Sequence, residues 1–368
     1  MIEEEVLLGA EEQHSSSSKY KRCRGPDSAL VVPKLRTVHS WHSYKPRQRE
    51  SVTVVTQLSL ERVRMLKNQC KVWPDPIAAV VYVPTVKGHI TATKDKALLG
   101  EKLQLAVAHL EEFFLNMERY GSCILDLEVI TQDFNSEEEA GLYPINAARN
   151  RALLLARSDV VLLLDADFVP SPTVLPEYKS PEDYAALLKQ LSGPEAIVLP
   201  AFEVSGAVPG KRVAMAAAWG GRQYAVMAYQ HGALKQFQGR QFAKGHRPTN
   251  YSRWTAEDQP YSIQYVKDYE PYVLLARQFA PWYDERFTGF GRNKIQYIRH
   301  LDGLNFTFSV HPRGFVVHVP HAHSLTHQLT RSTEHWTQMH KLYVQVDKEI
   351  RQHSFVPVVG SDMQCDLR

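Results

Sequence analysis

Val160-Val-Leu-Leu-Leu-Asp-Ala-Asp-Phe-Val-Pro170 is the stretch of sequence that decides the fold. Its five apolar residues, 160–164, are too few for an ordinary helix and predict a strand buried on both faces of a parallel sheet. Side chains alternate along a strand, so Asp165 and Asp167 can reach the same side where the strand leaves the sheet. Two carboxylates then converge at the edge where open α/β sheets bind ligands.

A divalent cation would fit such a pair of carboxylates. Mg²⁺ and Mn²⁺ are usually held by one or two carboxylates, and the phosphates of a substrate complete the coordination shell. An ion bound by Asp165 and Asp167 would offset the charge of a departing diphosphate. Asp-x-Asp is also a common tripeptide that often simply ends a strand in solvent, so the neighbouring sequence has to support the site.

A helix is predicted immediately before this strand, over residues 145–157. Its apolar residues recur at spacings of three and four, whereas Asn146, Arg149 and Asn150 share another face. This polar face is expected beside the acidic edge. Arg149 would contact an aspartate or phosphate oxygen there, and Asn150 would hydrogen-bond a sugar hydroxyl.

The order of predicted elements indicates an α/β protein. Strands at 51–58, 77–83, 124–130 and 160–164 alternate with helices near 60–70, 94–120 and 145–157, which is typical of parallel βαβ units. Further strands are predicted at 196–199, 272–275, 305–310 and 314–319, and helices near 181–191, 293–301 and 332–350. Residues 205–250 are predicted to be a long irregular excursion with a short helix at 213–219, a type of segment that often binds ligands.

Composition bounds the class of protein and its partners. The 368 residues carry a formal net charge of +3, so no nucleic-acid partner is expected. The four cysteines are far apart and match neither a disulfide framework nor a zinc spacing. No transmembrane segment or signal peptide is visible. We expect a single catalytic domain over residues 48–353, a disordered or stem-like tail over 1–47 and a C-terminal tail over 354–368.

Two carboxylates in the second half are candidates for a general base. The segment 281–294 combines aromatic residues, carboxylates and glycines, a mixture that suits a sugar site. Asp284 is the first candidate, and Glu270 is the second. The alternative is that Asp284, Glu285 and Arg286 form a local ion pair without a catalytic role.

A histidine cluster follows at the end of a predicted strand. His318 lies near the strand end, and His321 and His323 lie in the turn beyond it. One of these histidines would complete the metal site of the two aspartates. A zinc site formed by all three is the alternative, although no cysteine or carboxylate lies nearby in sequence to complete it.

Together these residues resemble glycosyltransferase family 49, the LARGE-type and β-1,4-glucuronyltransferase domains. The resemblance is carried by ordered blocks: Val-Thr-Gln-Leu-Ser-Leu-Glu-Arg at 55–62, Tyr-Pro-Ile-Asn-Ala-Ala-Arg-Asn at 143–150, Asp-Ala-Asp-Phe-Val-Pro at 165–170, Val-Leu-Pro-Ala-Phe-Glu at 198–203, Gly-His-Arg-Pro-Thr-Asn at 245–250, Tyr-Glu-Pro-Tyr-Val at 269–273, Tyr-Asp-Glu-Arg-Phe-Thr-Gly-Phe-Gly-Arg-Asn-Lys at 283–294 and His-Val-Pro-His-Ala at 318–322. It implies a GT-A-type fold with a mostly parallel central sheet flanked by helices. It also implies Mn²⁺-dependent inverting transfer from a UDP-sugar, with UDP-glucuronate favoured, to a glycan or glycoprotein acceptor; Mg²⁺ is the other candidate ion.

The resemblance also implies roles for individual residues. Asp165 and Asp167 would hold Mn²⁺ and the diphosphate, with His318 or His321 as a further metal ligand. Asp284 would deprotonate the acceptor, with Glu285 a weaker candidate. The donor would be bound by Asn146, Arg149, Asn150, Asp165 and Lys294. Of these, Lys294 would contact the phosphates or the glucuronate carboxylate.

Rival functions and locations follow from the same residues. A nucleotidyltransferase that makes sugar nucleotides also uses a metal at a sheet edge, but it normally has a glycine-rich basic loop near its first strand, and none is present. A glycan-binding pseudoenzyme is the non-enzymatic rival. Family members are usually anchored Golgi proteins, so the resemblance implies the Golgi lumen, whereas the sequence itself leaves a cytoplasmic location open.

Overall fold

A large mixed sheet forms the centre of the protein, whose computed structural model describes residues 19–26, 32–86, 93–175, 180–206, 209–322, 333–360 and 363. Within these residues the sheet has nine strands in the order β1-β5-β3-β2-β7-β13-β9-β14-β12. A second sheet has the order β11-β10-β15-β8, and β4 pairs with β6. The strands are β1 (Arg36–Trp41), β2 (Val52–Ser59), β3 (Pro76–Tyr82), β4 (Thr85–Val86), β5 (Ile124–Thr131), β6 (Asp133–Phe134), β7 (Val160–Leu163), β8 (Phe168–Pro170), β9 (Glu195–Leu199), β10 (Ala201–Val204), β11 (Leu234–Gln236), β12 (Tyr261–Ile263), β13 (Tyr272–Ala276), β14 (Thr307–Val310) and β15 (Val316–His318).

Helices cover the large sheet and connect its strands. In the described ranges they are α1 (Val63–Val72), α2 (Thr93–Tyr120), α3 (Glu137–Ala140), α4 (Ile145–Leu155), α5 (Pro181–Gln190), α6 (Gly210–Gln230), α7 (Tyr251–Ala256), α8 (Asn293–Gly303) and α9 (Thr333–Arg351). Helix α4 packs against β2 and β3, and α9 packs against α8. None of the described helices combines the length and apolar character that crossing a bilayer requires.

The large sheet contains a run of four parallel strands, β5, β3, β2 and β7, and a further parallel pair, β9 and β14. Every residue of β3, β5 and β7 is buried, as expected of strands that are covered on both faces. On the other side of β7, β13 and β9 continue the sheet with antiparallel pairings. The predicted α/β class, with a central sheet flanked by helices, is confirmed.

The chain passes from the large sheet to the second sheet directly after β7. It turns at residues 164–167 and continues as β8, which pairs antiparallel with β15. In this register Phe168 lies opposite His318. The turn that carries the two aspartates is therefore fixed between two sheets, and the end of β15 lies next to it.

The predicted irregular excursion after residue 204 is wrong for its first half. Helix α6 spans 21 residues and includes a break at Gly221, where φ is +65° and ψ is −164°. Glycine adopts this backbone conformation without steric cost. The helix predicted from the sequence ended at Trp219, whereas in the structure the helix continues past the break to Gln230.

Described residues within both predicted tails belong to the folded domain. β1 lies within the supposed tail 1–47 but pairs with β5 at the edge of the large sheet. Upstream of it, Tyr20 is buried against Phe279 and Phe306. Near the C-terminus, Val358 is buried and forms a parallel bridge with Arg24. Both chain ends therefore contribute described residues to the domain, which corrects boundaries at 48 and 353.

A disulfide joins Cys70 of α1 to Cys123, which immediately precedes β5. The two residues are 53 positions apart in sequence, and their Cα atoms are 4.7 Å apart. Cys23 is also disulfide-bonded. The expectation that the cysteines form no disulfide framework is therefore wrong, because widely spaced cysteines are brought together only by the tertiary fold.

Candidate functional site

Asp165 is held by three side chains at the end of β7. Arg149 of α4 donates to Oδ1 at 2.8 Å, and Lys294 of α8 donates to Oδ2 at 3.1 Å. The hydroxyl of Tyr272 donates to Oδ2 at 3.0 Å. The prediction that Arg149 contacts an aspartate oxygen is confirmed, and Lys294 joins the same carboxylate from the second half of the chain.

These contacts keep Asp165 ionised. Burial alone would raise the pKa of its carboxyl group, but the positive charges of Lys294 and Arg149 outweigh burial and lower the pKa to about 2. The carboxylate therefore has partners before any ligand binds. In return it orients two cations at the edge of the sheet, where a diphosphate would be attracted to them.

Asp167 forms a cluster with His318 and His321. Its Oδ2 lies 2.9 Å from Nε2 of His321 and 3.7 Å from Nε2 of His318. The two Nε2 atoms are 3.3 Å apart. Burial would raise the pKa of Asp167, but the adjoining imidazoles of His318 and His321 lower it well below its usual range. Three potential ligand atoms thus converge on one point.

The chemistry of this cluster fits a divalent metal ion. The ligand atoms all lie within 4.8 Å of one another, and Oδ1 of Asp167 is buried without a hydrogen-bond partner among the described residues. Nδ1 of His321 lies 2.7 Å from the carbonyl oxygen of Ala322. When Nδ1 donates to that carbonyl, Nε2 retains its lone pair for a metal. Two imidazoles and a carboxylate suit Mn²⁺ and related ions.

The predicted metal ligands are therefore placed in two adjacent groups. Asp167, His318 and His321 share one point, whereas the carboxylate of Asp165 faces Arg149, Lys294 and Tyr272. For the alternative zinc site, His323 lies outside the described residues. Within the described ranges, the third potential ligand beside His318 and His321 is the carboxylate of Asp167.

Two residues of the first half support this edge and were missed in the sequence. A guanidinium nitrogen of Arg62 lies 3.1 Å from the ring nitrogens of His321. The side-chain amide of Gln69 donates to the carbonyl oxygens of Asp165 and Phe168, at 3.1 and 2.9 Å. Gln69 therefore fixes the turn between the sheets. In the sequence, only their positions gave a signal. Arg62 ends the block at 55–62 that carries the family resemblance, and Gln69 lies shortly after that block.

Asp284 lies in a buried ion pair rather than at an open surface. Its side chain is 0% exposed, and Arg286 donates to Oδ1 at 2.9 Å through Nε and to Oδ2 at 2.5 Å through Nη2. Burial raises the pKa of Asp284 despite these bonds. Glu285 is also buried and accepts from Asn150 and the backbone of Gly360. Neither carboxylate is accessible to an acceptor hydroxyl, which favours the ion-pair alternative.

Glu270 has a more accessible position. Its side chain is 17% exposed, and Oε1 lies 4.0 Å from Nε2 of His246. Its backbone nitrogen donates to the carbonyl of Gly245, which anchors the residue. Burial raises the pKa of Glu270, and Lys294 is the cation that opposes this effect most strongly. Glu270 therefore lies near the same cation that contacts Asp165 and has the raised pKa that suits a general base.

Asn146 and Asn150 have structural roles, and their side chains are not available to a sugar. Both side chains are fully buried. Asn146 donates to the carbonyl of Asp284 and accepts from Arg149, while Asn150 bonds both backbone groups of Tyr283. Their placement does not support the predicted contacts with the donor. Their amides instead fix the position of Arg149 and of the segment around Asp284.

Comparisons with known proteins give a family match over most of the chain. The family model described as "Glycosyl-transferase for dystroglycan" matches residues 51–353. The chain is 32% identical over 307 residues to "Xylosyl- and glucuronyltransferase LARGE2" of Mus musculus, covering 83% of this chain and 39% of that protein. It is 28% identical over 336 residues to "Xylosyl- and glucuronyltransferase LARGE1" of Gallus gallus, covering 88% and 39%. The chain thus spans about two fifths of the length of these curated relatives.

Solved structures include a similar chain. S. aureus TarS 1–349 in complex with UDP-GlcNAc is 14% identical, with a TM-score of 0.36, and the match covers 83% of this chain and 70% of that chain. The family match extends over most of the domain, including the acidic turn, the histidine cluster and Glu270. The predicted membership is confirmed: the chain belongs to the glycosyltransferase family described as the glycosyltransferase for dystroglycan.

Proposed function

We propose that this protein is a metal-dependent inverting glycosyltransferase that moves a sugar from a UDP-sugar to a glycan acceptor. One observation carries the proposal: a potential metal cluster of Asp167, His318 and His321 adjoins an aspartate that orients two cations. A metal and a pair of cations at one sheet edge are what a nucleotide diphosphate requires.

The roles of the residues follow from their positions. Asp167, His318 and His321 would hold Mn²⁺ or Mg²⁺, which when bound offsets the charge of the diphosphate. Arg149 and Lys294, kept in place by Asp165, would contact the phosphate oxygens. These contacts strengthen as negative charge accumulates on the leaving UDP, so they favour the transition state.

Glu270 is the proposed general base, in place of Asp284. The acceptor hydroxyl loses its proton to Glu270 as its oxygen attacks the anomeric carbon. The bond between that carbon and the β-phosphate oxygen breaks on the opposite face, and its electron pair leaves with UDP, so the configuration inverts. A carboxylate whose pKa burial has raised is a stronger base than an exposed one and accepts this proton more readily.

The sugar is proposed from the names of the relatives. Because those proteins are named xylosyl- and glucuronyltransferases, UDP-glucuronate and UDP-xylose are the two donors to compare. We favour UDP-glucuronate, the donor that the family resemblance implies. The disulfide between Cys70 and Cys123 favours an oxidising compartment such as the secretory lumen, which is consistent with an enzyme of glycan synthesis.

The test is to measure UDP release from each donor with Mn²⁺, with Mg²⁺ and with a chelator, in the presence of simple xylosides and glucuronides. We expect release only with metal, and faster release from UDP-glucuronate. An Asp167→Ala variant should lose both activity and Mn²⁺ binding measured by calorimetry. Asp302→Ala, which removes an aspartate paired with Arg299 outside the site, is the control. Full turnover in the chelator would refute metal dependence.

The same assay decides between the rival functions. A nucleotidyltransferase would release pyrophosphate from UTP and a sugar phosphate and would not release UDP from the donor. A pseudoenzyme would bind a UDP-sugar or glycan but would release no UDP under any of these conditions.

A further inference from the structure

Trp336 is an exposed aromatic residue on the C-terminal helix α9. Its side chain is 40% exposed, although α9 buries its other face through residues such as Met339 and Tyr343. A large ring left open to water forgoes the free energy that burial would provide. One exposed aromatic residue is not unusual, so its surroundings have to indicate a ligand contact.

The ring of Trp336 packs against Gly291. A Cβ atom at Gly291 would lie 2.4 Å from Cζ3 of Trp336, and the φ angle of Gly291 is +101°. Both the close approach and the backbone conformation therefore require glycine at this position. The ring of Trp336 therefore packs closely against the backbone at Gly291, which restricts its orientation.

The loop beneath the ring is itself held at several points. Gly289 donates its backbone N–H to the carbonyl of Tyr143 at 2.7 Å. The guanidinium of Arg292 lies 6.0 Å from the ring centre of Trp336 and donates to Asp268 at 2.9 Å. These contacts keep the loop, and with it the indole, in one position.

Short stretches of chain and one ion pair connect this platform to the proposed catalytic residues. Gly291 is three residues before Lys294, so the chain between their Cα atoms spans at most about 10 Å. Lys294 contacts Asp165, and Asp268, the partner of Arg292, is two residues before Glu270. Trp336 is therefore linked by short segments both to the cation of the donor site and to the proposed base.

We propose that Trp336 is the stacking platform for the acceptor sugar, a role that rests on the proposed transferase function. Sugar rings present C–H groups on one face, and such a face packs on an aromatic ring while the hydroxyls at its edge stay free for hydrogen bonds. The donor phosphates belong at Asp165 and the metal cluster. The acceptor has to approach Glu270. The ion pair between Asp268 and Arg292 connects Trp336 to the side of the site where Glu270 lies.

The experiment compares Trp336→Ala with Trp336→Phe and with Trp219→Ala in the full chain. Trp219 is a matched control because it is 58% exposed but lies on α6. Stacking on an aromatic ring contributes about 1 kcal/mol, so we expect the acceptor KM of Trp336→Ala to rise about fivefold to tenfold. The KM for the UDP-sugar should not change, and Trp336→Phe should restore most of the acceptor affinity.

The outcomes separate this inference from the function on which it rests. If Trp336→Ala leaves the acceptor KM unchanged, or changes acceptor and donor KM equally, the platform is refuted. Acceptor binding is also followed without turnover, by tryptophan fluorescence. A wild-type chain that binds glycan with a fluorescence change absent from Trp336→Ala, yet releases no UDP, would refute the transferase function and support the platform.

Discussion

Phe168 and His318 lie opposite each other in the antiparallel pair of β8 and β15, and their rings are 5.2 Å apart. Because Asp167 directly precedes Phe168, this register brings the imidazole of His318 to the acidic turn across 151 residues of sequence. The position of the potential metal cluster is thus determined by strand pairing, and it does not depend on the ion.

The first prediction concerns the metal ligands. His318→Ala and His321→Ala should each weaken Mn²⁺ binding by more than about tenfold, since each removes one of three potential ligand atoms and even the loss of a group that only supports a ligand typically costs that much. Calorimetry or electron paramagnetic resonance of Mn²⁺ measures this without any sugar. His39→Ala, a substitution on the edge strand β1, is the control, and equal Mn²⁺ affinity in all four proteins would contradict the assignment.

The second prediction concerns Glu270. Glu270→Gln should lower kcat by about 10²- to 10⁴-fold because the amide cannot accept the proton of the acceptor. The KM for the UDP-sugar should change little. In the wild-type enzyme, activity should fall as the pH drops through the raised pKa of Glu270, because the protonated carboxyl is no longer a base. A pH–rate profile with the same acidic limb in Glu270→Gln would exclude this residue as the base.

The third prediction distinguishes Asp284 from Glu270. Asp284→Asn leaves Arg286 buried without its counter-charge, which typically costs about 3–5 kcal/mol of stability. We therefore expect a lower midpoint of chemical denaturation. Below that midpoint, the folded fraction should retain kcat near the wild-type value. A folded Asp284→Asn protein with normal stability and a kcat reduced by orders of magnitude would return the role of base to Asp284.

The fourth prediction concerns stability at acid pH. His311 is buried, and its Nδ1 accepts hydrogen bonds from the backbone nitrogens of Arg313 and Gly314, at 3.1 and 2.7 Å. Burial, together with the charge of Arg313, lowers its pKa to about 3. The unfolded chain therefore binds a proton below pH 6.5 that the folded chain does not, and stability falls by up to about 1.4 kcal/mol per pH unit between 6.5 and 3.

His311→Asn tests this prediction because its amide oxygen can replace the Nδ1 acceptor but does not take up a proton. The slope of unfolding free energy against pH between 6.5 and 4 should become shallower than in the wild-type protein. His335→Asn serves as a control at another buried histidine, which bonds the carbonyl of Thr288. Parallel slopes for the wild type and His311→Asn would contradict the expectation.

The fifth prediction concerns the disulfide. A bridge that closes a loop of 53 residues reduces the entropy of the unfolded chain, which corresponds to about 4 kcal/mol of stability. Cys70→Ser with Cys123→Ser should therefore lower the denaturation midpoint markedly, and a reducing agent should do the same to the wild type. If the reducing agent has no effect on the wild type, the bridge does not form in solution.

The sequence was most informative where local patterns determine structure. Apolar runs predicted the buried strands that became β2, β3, β5 and β7, and the position of Asp165 and Asp167 at a strand end followed from the abrupt polarity change. The pairing of Arg149 with an aspartate also followed, because helix α4 leads directly into β7 and its polar face is set by helical spacing.

The remainder of the site depends on contacts between distant segments. No local sequence pattern indicated that Lys294 and Tyr272 would donate hydrogen bonds to the carboxylate of Asp165. Nor did any indicate that Arg62 would contact His321 across 259 residues. Asp284 is embedded in an aromatic, acidic and glycine-bearing stretch that suits a sugar site. The ion pair with Arg286 could be preferred over a catalytic role only once the structure showed that Asp284 is completely buried.

The pairing of β1 with β5 has a practical consequence for expressing the protein. A fragment cut at residue 51 to match the family boundary would lack β1, and the hydrogen-bonding groups along β5 would face solvent. Unpaired strand edges recruit other chains, so such a fragment is expected to aggregate. Recombinant protein that begins upstream of Tyr20 would keep this edge covered and the buried tyrosine in place.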